Sequence, residues 1–302
     1  MILVVCPNPS IDTYAQMECM KFGEPNRFIN IQEFPGGKGV HVALALQEMG
    51  SKVSLLGFWA GPNGEWVKSQ CRDHGIDVGG ISLSGNTRKC YTIRSTDEKM
   101  DHTEFLEPGP KMDTQSFVAF KELFAERIKQ AKLVIISGSW PLDSAENSCQ
   151  ELVKLCNQNQ IDVILDCTGV QLQKAIQENI TALHLNENEY KETNNMMPNE
   201  LKSVSMLALT KGKDGLELIS SEGIIEGRVT LSKVISTVGS GDCLTAGLGF
   251  SLINNKDIQD HARFAVAFGA ANCLRAELGM LYKEDVKKLL PIIEIKEKKY
   301  AR

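Results

Sequence analysis

Leu-Val-Ile-Ile-Ser, at residues 133–137, is a continuous apolar run of strand length near the middle of the chain. Similar runs recur at 163–166, 182–185 and 206–210, and a segment with helical character precedes each of them. Strands that are apolar on both faces and alternate with helices are typical of a parallel sheet covered by helices on both sides. The sequence therefore predicts an α/β fold with a doubly wound, mostly parallel sheet.

The N-terminal half continues this alternation, with strands predicted at 2–6 and 53–57. Two thinner β segments, at about 12–34 and 88–106, are more polar than the core strands. Because polar strands are poor candidates for the centre of a covered sheet, we expect these two segments to meet as a small β-sheet lid. The lid would lie over the carboxyl edge of the large sheet.

The C-terminal part closes the predicted fold. Segments 215–219 and 224–229 look like an antiparallel hairpin at the edge of the sheet, two helices follow, and residues 296–302 read as a charged tail. No repeat or linker divides the chain. We therefore expect a single domain over residues 1–302, with the lid as its only appendage.

The composition favours an ordered globular protein and argues against a nucleic-acid-binding protein. Of 302 residues, 42% are hydrophobic and 24% are charged, which is typical of an ordered globular protein. The net charge of −5 comes from acids and bases that are interspersed along the chain. A nucleic-acid-binding protein usually carries a clustered basic face, so we expect a small-molecule ligand and no nucleic acid.

Cysteine usage and hydropathy indicate the compartment. The nine cysteines are an odd number without a Cys-x-x-Cys pair, which favours free thiols in a reducing environment. The five histidines show no metal-ligand spacing, so no metal is assigned to them. No apolar run is long enough to cross a membrane, and the apolar start at 2–6 reads as a strand rather than a signal peptide. We expect a cytoplasmic protein without a membrane partner.

The chemistry is predicted at Thr-Val-Gly-Ser-Gly-Asp, residues 237–242. A buried helix is predicted directly after it, so Gly239, Ser240 and Gly241 would place free N–H groups at a helix N-terminus, where an anion is favoured. Asp242 is then an acceptor for a proton beside a bound phosphate, which suits phosphoryl transfer to a hydroxyl. The alternative is a flexible turn with an aspartate that caps a helix.

A second glycine loop opens the first helix. It contains one cation and lacks the spacing of a Walker loop. Its glycines would admit a small polar substrate, and its lysine could meet a phosphate or stabilise transferring charge; a flexible hinge before a helix is the alternative. The loop residues are Gly36, Gly37, Lys38 and Gly39.

Three charged side chains near the predicted lid are candidates for sugar binding. Asp12 follows the first strand in a predicted turn and could accept hydrogen bonds from sugar hydroxyls, although turn aspartates are common. Arg27 and Arg88 lie in the lid segments, where guanidinium groups could bind a second phosphate if the lid closes. Otherwise they are solvated surface charge.

Polar residues also end the later strands, at the edge where doubly wound sheets bind ligands. Asn186 and Glu189 are three residues apart at a predicted helix start, and an acid there could hold Mg²⁺ through water. A helix-terminal acid pair is the alternative. The segment 211–215 reads either as a hairpin turn or as a loop over an adenine nucleotide.

Together these motifs resemble the ribokinase-like (PfkB) carbohydrate kinases. The resemblance rests on Asn-Pro-Ser-Ile-Asp at 8–12, Gly-Gly-Lys-Gly at 36–39 and Gly-Ser-Gly-Asp at 239–242, in the family's order. Further segments resemble the branch that contains 1-phosphofructokinase and tagatose-6-phosphate kinase. These are residues 26–27, 87–88, 103–105, 107–110 and 137–139.

The resemblance implies a ribokinase-like core with a β lid, ATP and Mg²⁺ as cofactors, and a homodimer formed through the lid. Asp242 would be the general base and the amides of 239–242 the anion hole. Asp12 and the 36–39 loop would hold the sugar, and Lys38, Arg27, Arg88 and Ser139 would surround its phosphate. Nucleotide contacts are implied for Asn186, Glu189, Thr210, Lys211, Gly212, Gly215 and Asn272.

Three positions depart from the family pattern. His41 replaces the usual sugar-contacting Asn and is the candidate sugar contact at that position. Asp143 replaces a Gly, and His184-Leu185 replaces Lys-Pro before Asn186. The leading interpretation is a kinase that converts fructose 1-phosphate to fructose 1,6-bisphosphate. Tagatose 6-phosphate, or another sugar or nucleoside, is an alternative substrate, and a non-catalytic sugar-phosphate-binding regulator is the alternative class.

Overall fold

The computed structural model describes residues 1–97 and 99–298. Its strands are β1 (Ile2–Cys6), β2 (Ser10–Met17), β3 (Asn30–Gly36), β4 (Val53–Ala60), β5 (Asp77–Leu83), β6 (Arg88–Ser95), β7 (Glu104–Leu106), β8 (Leu133–Ser137), β9 (Asp162–Asp166), β10 (Ala182–Asn186), β11 (Met206–Thr210), β12 (Leu216–Ser220), β13 (Gly223–Arg228) and β14 (Glu294–Lys298). Its α-helices are α1 (Lys38–Glu48), α2 (Gly61–Asp73), α3 (Thr114–Arg127), α4 (Ser148–Gln158), α5 (Gly169–Ala175), α6 (Glu187–Met196), α7 (Pro198–Ser203), α8 (Ser240–Ile253), α9 (Ile258–Cys273) and α10 (Lys283–Leu289). Short 3-10 helices cover Ile128–Gln130, Gly212–Asp214 and Leu290–Ile292.

The large sheet has the order β14-β13-β12-β11-β10-β9-β8-β1-β4-β5. From β11 to β5 every pairing is parallel, whereas β12, β13 and β14 form an antiparallel edge. The predicted fold class and the predicted edge hairpin are thereby confirmed. Among the described helices, none is long and apolar enough to cross a membrane.

Helices cover the large sheet on both faces, and the alternation within β1 shows how. Ile2, Val4 and Cys6 join the core formed with α1, α8 and α9, whereas Leu3 and Val5 join the core formed with α3 and α4. All five side chains are fully buried. An apolar run without alternation is what such a two-sided strand requires.

At the edges of the large sheet, one prediction was wrong and one strand was not predicted. Residues 296–298 were predicted as part of a charged tail, but they belong to β14, in which Ile295 pairs with Gly227 of β13. The strand β5 was not predicted at all. Both are edge strands: β14 is mostly exposed and polar, and β5 contains Gly79 and Gly80. Neither therefore shows the apolar pattern of a buried strand. Residues 98 and 299–302, in the predicted lid and tail, lie outside the described residues.

The two thin β segments form one small sheet, with the order β3-β2-β6-β7. Asp12 pairs with Phe34 of β3 and with Cys90 of β6. The turn predicted at Asp12 is wrong, because the chain enters β2 at Ser10 and Asp12 lies inside that strand. The backbone of residues 10–12 is therefore held by a ladder on both sides.

Two helices bring the glycine loops together. Helix α1 begins after Gly37 and α8 begins after Gly239, and the two helices pack against each other. Both carry buried small and branched apolar residues, including Ala43 and Ala246. Their N-terminal turns consequently lie side by side, close to the small sheet.

Candidate active site

The centre of the site is a histidine between two carboxylates. Nδ1 of His41 lies 2.7 Å from Oδ2 of Asp242, and Nε2 lies 3.1 Å from Oδ2 of Asp12. His41 is 3% exposed and each aspartate is 8% exposed. The three residues come from α1, α8 and β2, so the cluster joins the core to the small sheet.

The charge on His41 follows from these neighbours. Burial by itself lowers the pKa of the imidazole, but the contacts with Asp12 and Asp242 outweigh it and raise the pKa to about 10. Burial likewise raises the pKa of Asp12, but His41, Ser10 and Arg88 outweigh that effect and leave the pKa of Asp12 below its ordinary value. At neutral pH the ring is an imidazolium beside ionised Asp12.

Small residues shape the slot around this ring. Gly279 has φ 68°, and a Cβ placed on it would overlap the His41 ring. A Cβ at Gly36 would similarly overlap the carboxylate of Asp12. A glycine at 279 is needed both for its left-handed backbone and for the absence of a side chain.

The N-terminus of α8 can bind an anion beside Asp242. Gly239 is left-handed (φ 82°), and within the described chain no side chain caps the helix. The amides of Gly241 and Asp242 lie in the first turn, where the helix itself supplies no acceptor. The N–H groups and the helix dipole therefore point toward the position where negative charge would be held.

A second charged cluster lies at the ends of β9 and β10. Lys38 Nζ is 2.9 Å from Oδ1 of Asp166 and 3.7 Å from Oε1 of Glu189. Burial raises the pKa of Asp166, but Lys38 and His184 outweigh it and hold this carboxyl well below its usual pKa. Burial lowers the pKa of Lys38, but Asp166, Asp242 and Glu189 outweigh it and raise it. Lys38, predicted beside the phosphate of the sugar, instead faces the carboxylate at the end of β9.

His184 connects this cluster to α8. Its Nδ1 lies 3.1 Å from Oγ1 of Thr245 and 3.5 Å from Oδ1 of Asp166, and its Nε2 lies 3.2 Å from Oγ1 of Thr210. Thr245 in turn donates to the carbonyl of Gly241 (3.1 Å). The imidazole that replaces the family's lysine is thus buried among hydroxyls.

The residues predicted around the sugar phosphate are not all together. Arg88 faces the same side of the small sheet as Asp12, and its Nε is buried without a partner in the described chain. Ser139 is exposed, and its Oγ accepts from Nδ2 of Asn8 (3.4 Å). Arg27 is exposed in the β2–β3 connection, at the end of β2 opposite to Ser10. The structure brings Arg88, but not Arg27, toward Asp12.

The departure at Asp143 has a backbone explanation. Asp143 adopts φ 62°, the left-handed region in which the family's glycine would be favoured. Aspartate is among the few other residues that tolerate this conformation. Its carboxylate lies 3.0 Å from Lys111 Nζ, away from the two charged clusters.

Among the residues predicted to contact the nucleotide, Asn186 and Glu189 form a capping box. The Asn186 side chain accepts from the amides of Asn188 and Glu189, and Glu189 Oε2 accepts from the Asn186 amide (2.9 Å). The other carboxylate oxygen of Glu189, Oε1, faces Nζ of Lys38. No three His, Cys, Asp or Glu side chains in residues 1–97 and 99–298 are placed to hold a metal together. A magnesium ion would therefore fit here only with water and phosphate oxygens as its main ligands.

The predicted nucleotide loop is a tight turn. Gly212 and Gly215 are left-handed, Lys211 pairs with Glu217 (2.6 Å), and Thr210 ends β11 beside His184. Asn272 is 1% exposed and donates to the carbonyl of Met280 (2.8 Å). The Asn272 side chain therefore holds the loop that contains Gly279 and does not lie on an open surface.

Sequence reasoning missed three members of the site. Asp166 is the polar last residue of the strand predicted at 163–166 but was given no role, and the sequence around Thr245 and Gly279 predicts none. Asp166 could have been found, because Ser137 and Asp166 end neighbouring predicted strands; in the structure they pair in register, and the Ser137 hydroxyl donates to Asp166 (3.0 Å). Thr245 and Gly279 depend on how α8 and the following loop pack.

Comparison with known proteins identifies the family of this chain. Residues 7–281 match the pfkB family carbohydrate kinases. A 1-phosphofructokinase of Bacillus subtilis is 27% identical over 98% of this chain and 99% of its own. A structure described as a possible 1-phosphofructokinase of Thermotoga maritima superimposes with a TM-score of 0.85 at 21% identity, covering 99% of both chains.

Phosphofructokinase-2 of Escherichia coli is similar as well. Its complex with fructose-6-phosphate gives a TM-score of 0.86, and its tetrameric inhibited form gives 0.84. Each is 22% identical and covers 96% of this chain and 98% of the other. The family match extends over almost the whole chain, so this protein belongs to the pfkB family of carbohydrate kinases and is an ATP-dependent sugar kinase.

Proposed function

We propose that the protein transfers the terminal phosphoryl group of ATP to a hydroxyl of a ketohexose phosphate, with fructose 1-phosphate as the leading substrate. The observation that carries the kinase assignment is the position of Asp242. Its carboxylate lies in the uncapped first turn of α8, beside amides that can hold negative charge. The name of the Bacillus subtilis relative favours fructose 1-phosphate.

Each group then has a defined task. The sugar hydroxyl oxygen forms a bond to the γ-phosphorus while the bond to the bridging oxygen of ADP breaks, and the hydroxyl proton passes to Asp242. The amides of Gly239, Gly241 and Asp242 stabilise the charge on the transferring group. The Ser240 amide, also predicted for this role, donates instead to the carbonyl of Thr237 (3.1 Å). Asp12 accepts hydrogen bonds from other sugar hydroxyls and orients the ring.

Arg88 supports a substrate that already carries a phosphate. Its Nε is buried and has no partner among the described residues, which is costly for a cationic group unless a ligand supplies the acceptor. A guanidinium matches the geometry of phosphate. Arg27, Ser139 and the loop glycines Gly36, Gly37 and Gly39 complete this assignment when the small sheet closes as a lid.

The nucleotide is assigned to the opposite side, along β10 and β11. Asn186, Thr210, Lys211, Gly212 and Gly215 are the proposed nucleotide-binding residues. Asn272, also predicted to border the nucleotide, is buried and would act only through the loop that contains Gly279. Glu189 would hold Mg²⁺ through water, and the ion would neutralise charge on the phosphates. Lys38 is placed to bind a phosphate oxygen, since its side chain is 37% exposed and lies on a flexible stem.

The decisive experiment is a coupled assay of ADP release across a panel of sugars. Fructose 1-phosphate should give the highest kcat/KM, tagatose 6-phosphate and fructose 6-phosphate lower values, and unphosphorylated fructose at least tenfold less, because the arginine contact is lost. Equal rates with fructose and its phosphates would contradict the phosphate site. No turnover with any sugar or nucleoside would favour a non-catalytic binding protein.

We also propose that the protein is a homodimer formed through the small sheet. Ile31 and Phe105 are exposed, and the strand register places them on the same face. Phe22, Ile29 and Leu106, also exposed, lie on this sheet or its connections. Clusters of this kind mark interaction surfaces. Light scattering should give a dimer mass for the wild type and a monomer mass for Ile31→Glu, with Val118→Glu on α3 as control; a dimer in Ile31→Glu contradicts the proposal.

A further inference from the structure

His41 touches two carboxylates with two different nitrogens. Nδ1 is within hydrogen-bond distance of Oδ2 of Asp242 (2.7 Å), whereas Nε2 lies 3.1 Å from Oδ2 of Asp12 as an ion pair without hydrogen-bond geometry. The ring lies between α8 of the core and β2 of the small sheet, and it is 3% exposed. The contact occupies one oxygen of Asp242, so Oδ1 remains for another ligand.

Lys38 acts electrostatically on Asp242 and Arg88 acts on Asp12, but within the described chain neither cation makes an ion-pair contact with these two carboxylates. On helix α1, Lys38 is 2.9 Å from Asp166. On β6, Arg88 lies on the Asp12 side, while on β1 and β6 burial raises the pKa of the Cys6 thiol to about 12 and that of Cys90 to about 11. Ser10 donates to the other oxygen of Asp12 (2.6 Å). Without a cation at 41, two buried carboxylates would face each other across one side chain.

We propose that His41 is a positioning residue, a cationic bridge that ties Asp12 of the small sheet to Asp242 at the N-terminus of α8. This inference rests on the proposed function in one respect only, the role of Asp242 as the base. During transfer the sugar hydroxyl proton goes to the unoccupied Oδ1 of Asp242, and His41 keeps both of its protons.

An imidazolium suits this task better than a neutral side chain. It presents N–H donors at opposite edges of a rigid ring, whereas an amide carries both donors on one nitrogen and an acceptor on the other side. An asparagine at 41 that donates to one aspartate would turn its carbonyl oxygen toward the other. Two carboxylates that share a site without a cation raise the pKa of at least one of them.

The first test does not depend on catalysis. Nitrogen-15 NMR of histidine side chains in the free wild-type enzyme should show one ring that remains protonated on both nitrogens at about pH 8, and this signal should be missing in His41→Asn. The matched control is His74→Asn, because His74 is exposed at the end of α2. If every histidine titrates near its ordinary pKa of about 6.5, the bridge is wrong.

The second test uses activity. The acid limb of kcat/KM against pH should move upward by about one pH unit in His41→Asn, because the base loses its cation, and it should stay in place in His74→Asn. An unchanged limb in an active His41→Asn variant overturns the positioning role. If no sugar is turned over, the proposed function fails while the NMR result still decides whether the protonated bridge exists.

Discussion

The two sides of the site that we propose to bind sugar and nucleotide, here called the sugar side and the nucleotide side, each place two carboxylates around one cation, but with different consequences. On the sugar side, His41 lies between Asp12 and Asp242 and is almost completely buried. On the nucleotide side, Lys38 lies between Asp166 and Glu189 with its side chain partly exposed. A rigid buried ring fixes the distance between its partners, whereas a lysine on a flexible stem can exchange a carboxylate for a phosphate.

The two clusters also differ in what they connect. Asp166 and Glu189 follow neighbouring parallel strands of the large sheet, so their positions are set by one rigid element. Asp12 belongs to the small sheet and Asp242 to α8, so the His41 cluster depends on how the two sheets are placed. The nucleotide cluster is therefore preorganised by the fold, and the sugar cluster by contact between its parts.

The largest effect is expected at Asp242, which we propose as the base on the sugar side. In Asp242→Asn, kcat should fall by about a hundredfold or more while the Kd for sugar changes little, because an amide cannot accept the hydroxyl proton. Steady-state kinetics together with calorimetric titration of the sugar phosphate measure both quantities. Asp73→Asn, at an exposed aspartate of α2, serves as control. Wild-type turnover in Asp242→Asn would remove the residue from the chemistry.

Arg88 tests whether the sugar side carries the second phosphate. Arg88→Ala should raise KM for the sugar phosphate by about ten- to a hundredfold, since a hydrogen bond to a charged group contributes about 1.5–3 kcal/mol. KM for ATP should stay nearly unchanged. Initial-rate measurements with each substrate varied in turn separate the two effects. Equal weakening of both substrates would place Arg88 outside a phosphate site on the sugar side.

Lys38 tests the proposed nucleotide side of the site. Lys38→Met should lower kcat/KM for ATP by about tenfold or more, because a cation near the transferring phosphate is lost, and should leave Kd for the sugar phosphate nearly unchanged. Lys38→Arg is the matched variant that retains the charge. Should Lys38→Met weaken sugar binding instead, the lysine belongs to the sugar side.

The smallest effect concerns stability against pH. The folded-state pKa of His41 is about 10, above its ordinary value of 6.5, so its contribution is complete below about pH 6.5 and is lost as the pH rises through 10. The free energy of unfolding should thus fall over this window, by at most about 1.4 kcal/mol per pH unit. Urea denaturation at several pH values should show a smaller decline in His41→Asn. Parallel declines in both proteins would contradict the raised pKa.

Sequence reasoning performed best where the signal was local. The strands around 133–137 and the helices after Gly37 and Gly239 were predicted correctly, because apolar periodicity and glycine breaks act within one element. The capping box at Asn186 and Glu189 is also local, and their spacing was noticed. The expectation for Asp12 failed because a polar strand in a small sheet resembles a turn when its partners are unknown.

By itself, the sequence determined the parallel sheet, the glycine loops at two helix starts and the carboxylate at residue 242, since each depends on residues that are neighbours along the chain. Only the tertiary structure decided that His41 binds Asp12 and Asp242, and that Lys38 binds Asp166. Residues 12, 41 and 242 lie on three elements, and their distances depend on the packing of α1 against α8 and of the small sheet over both. Packing of this kind is set by many side chains together, which no local pattern records.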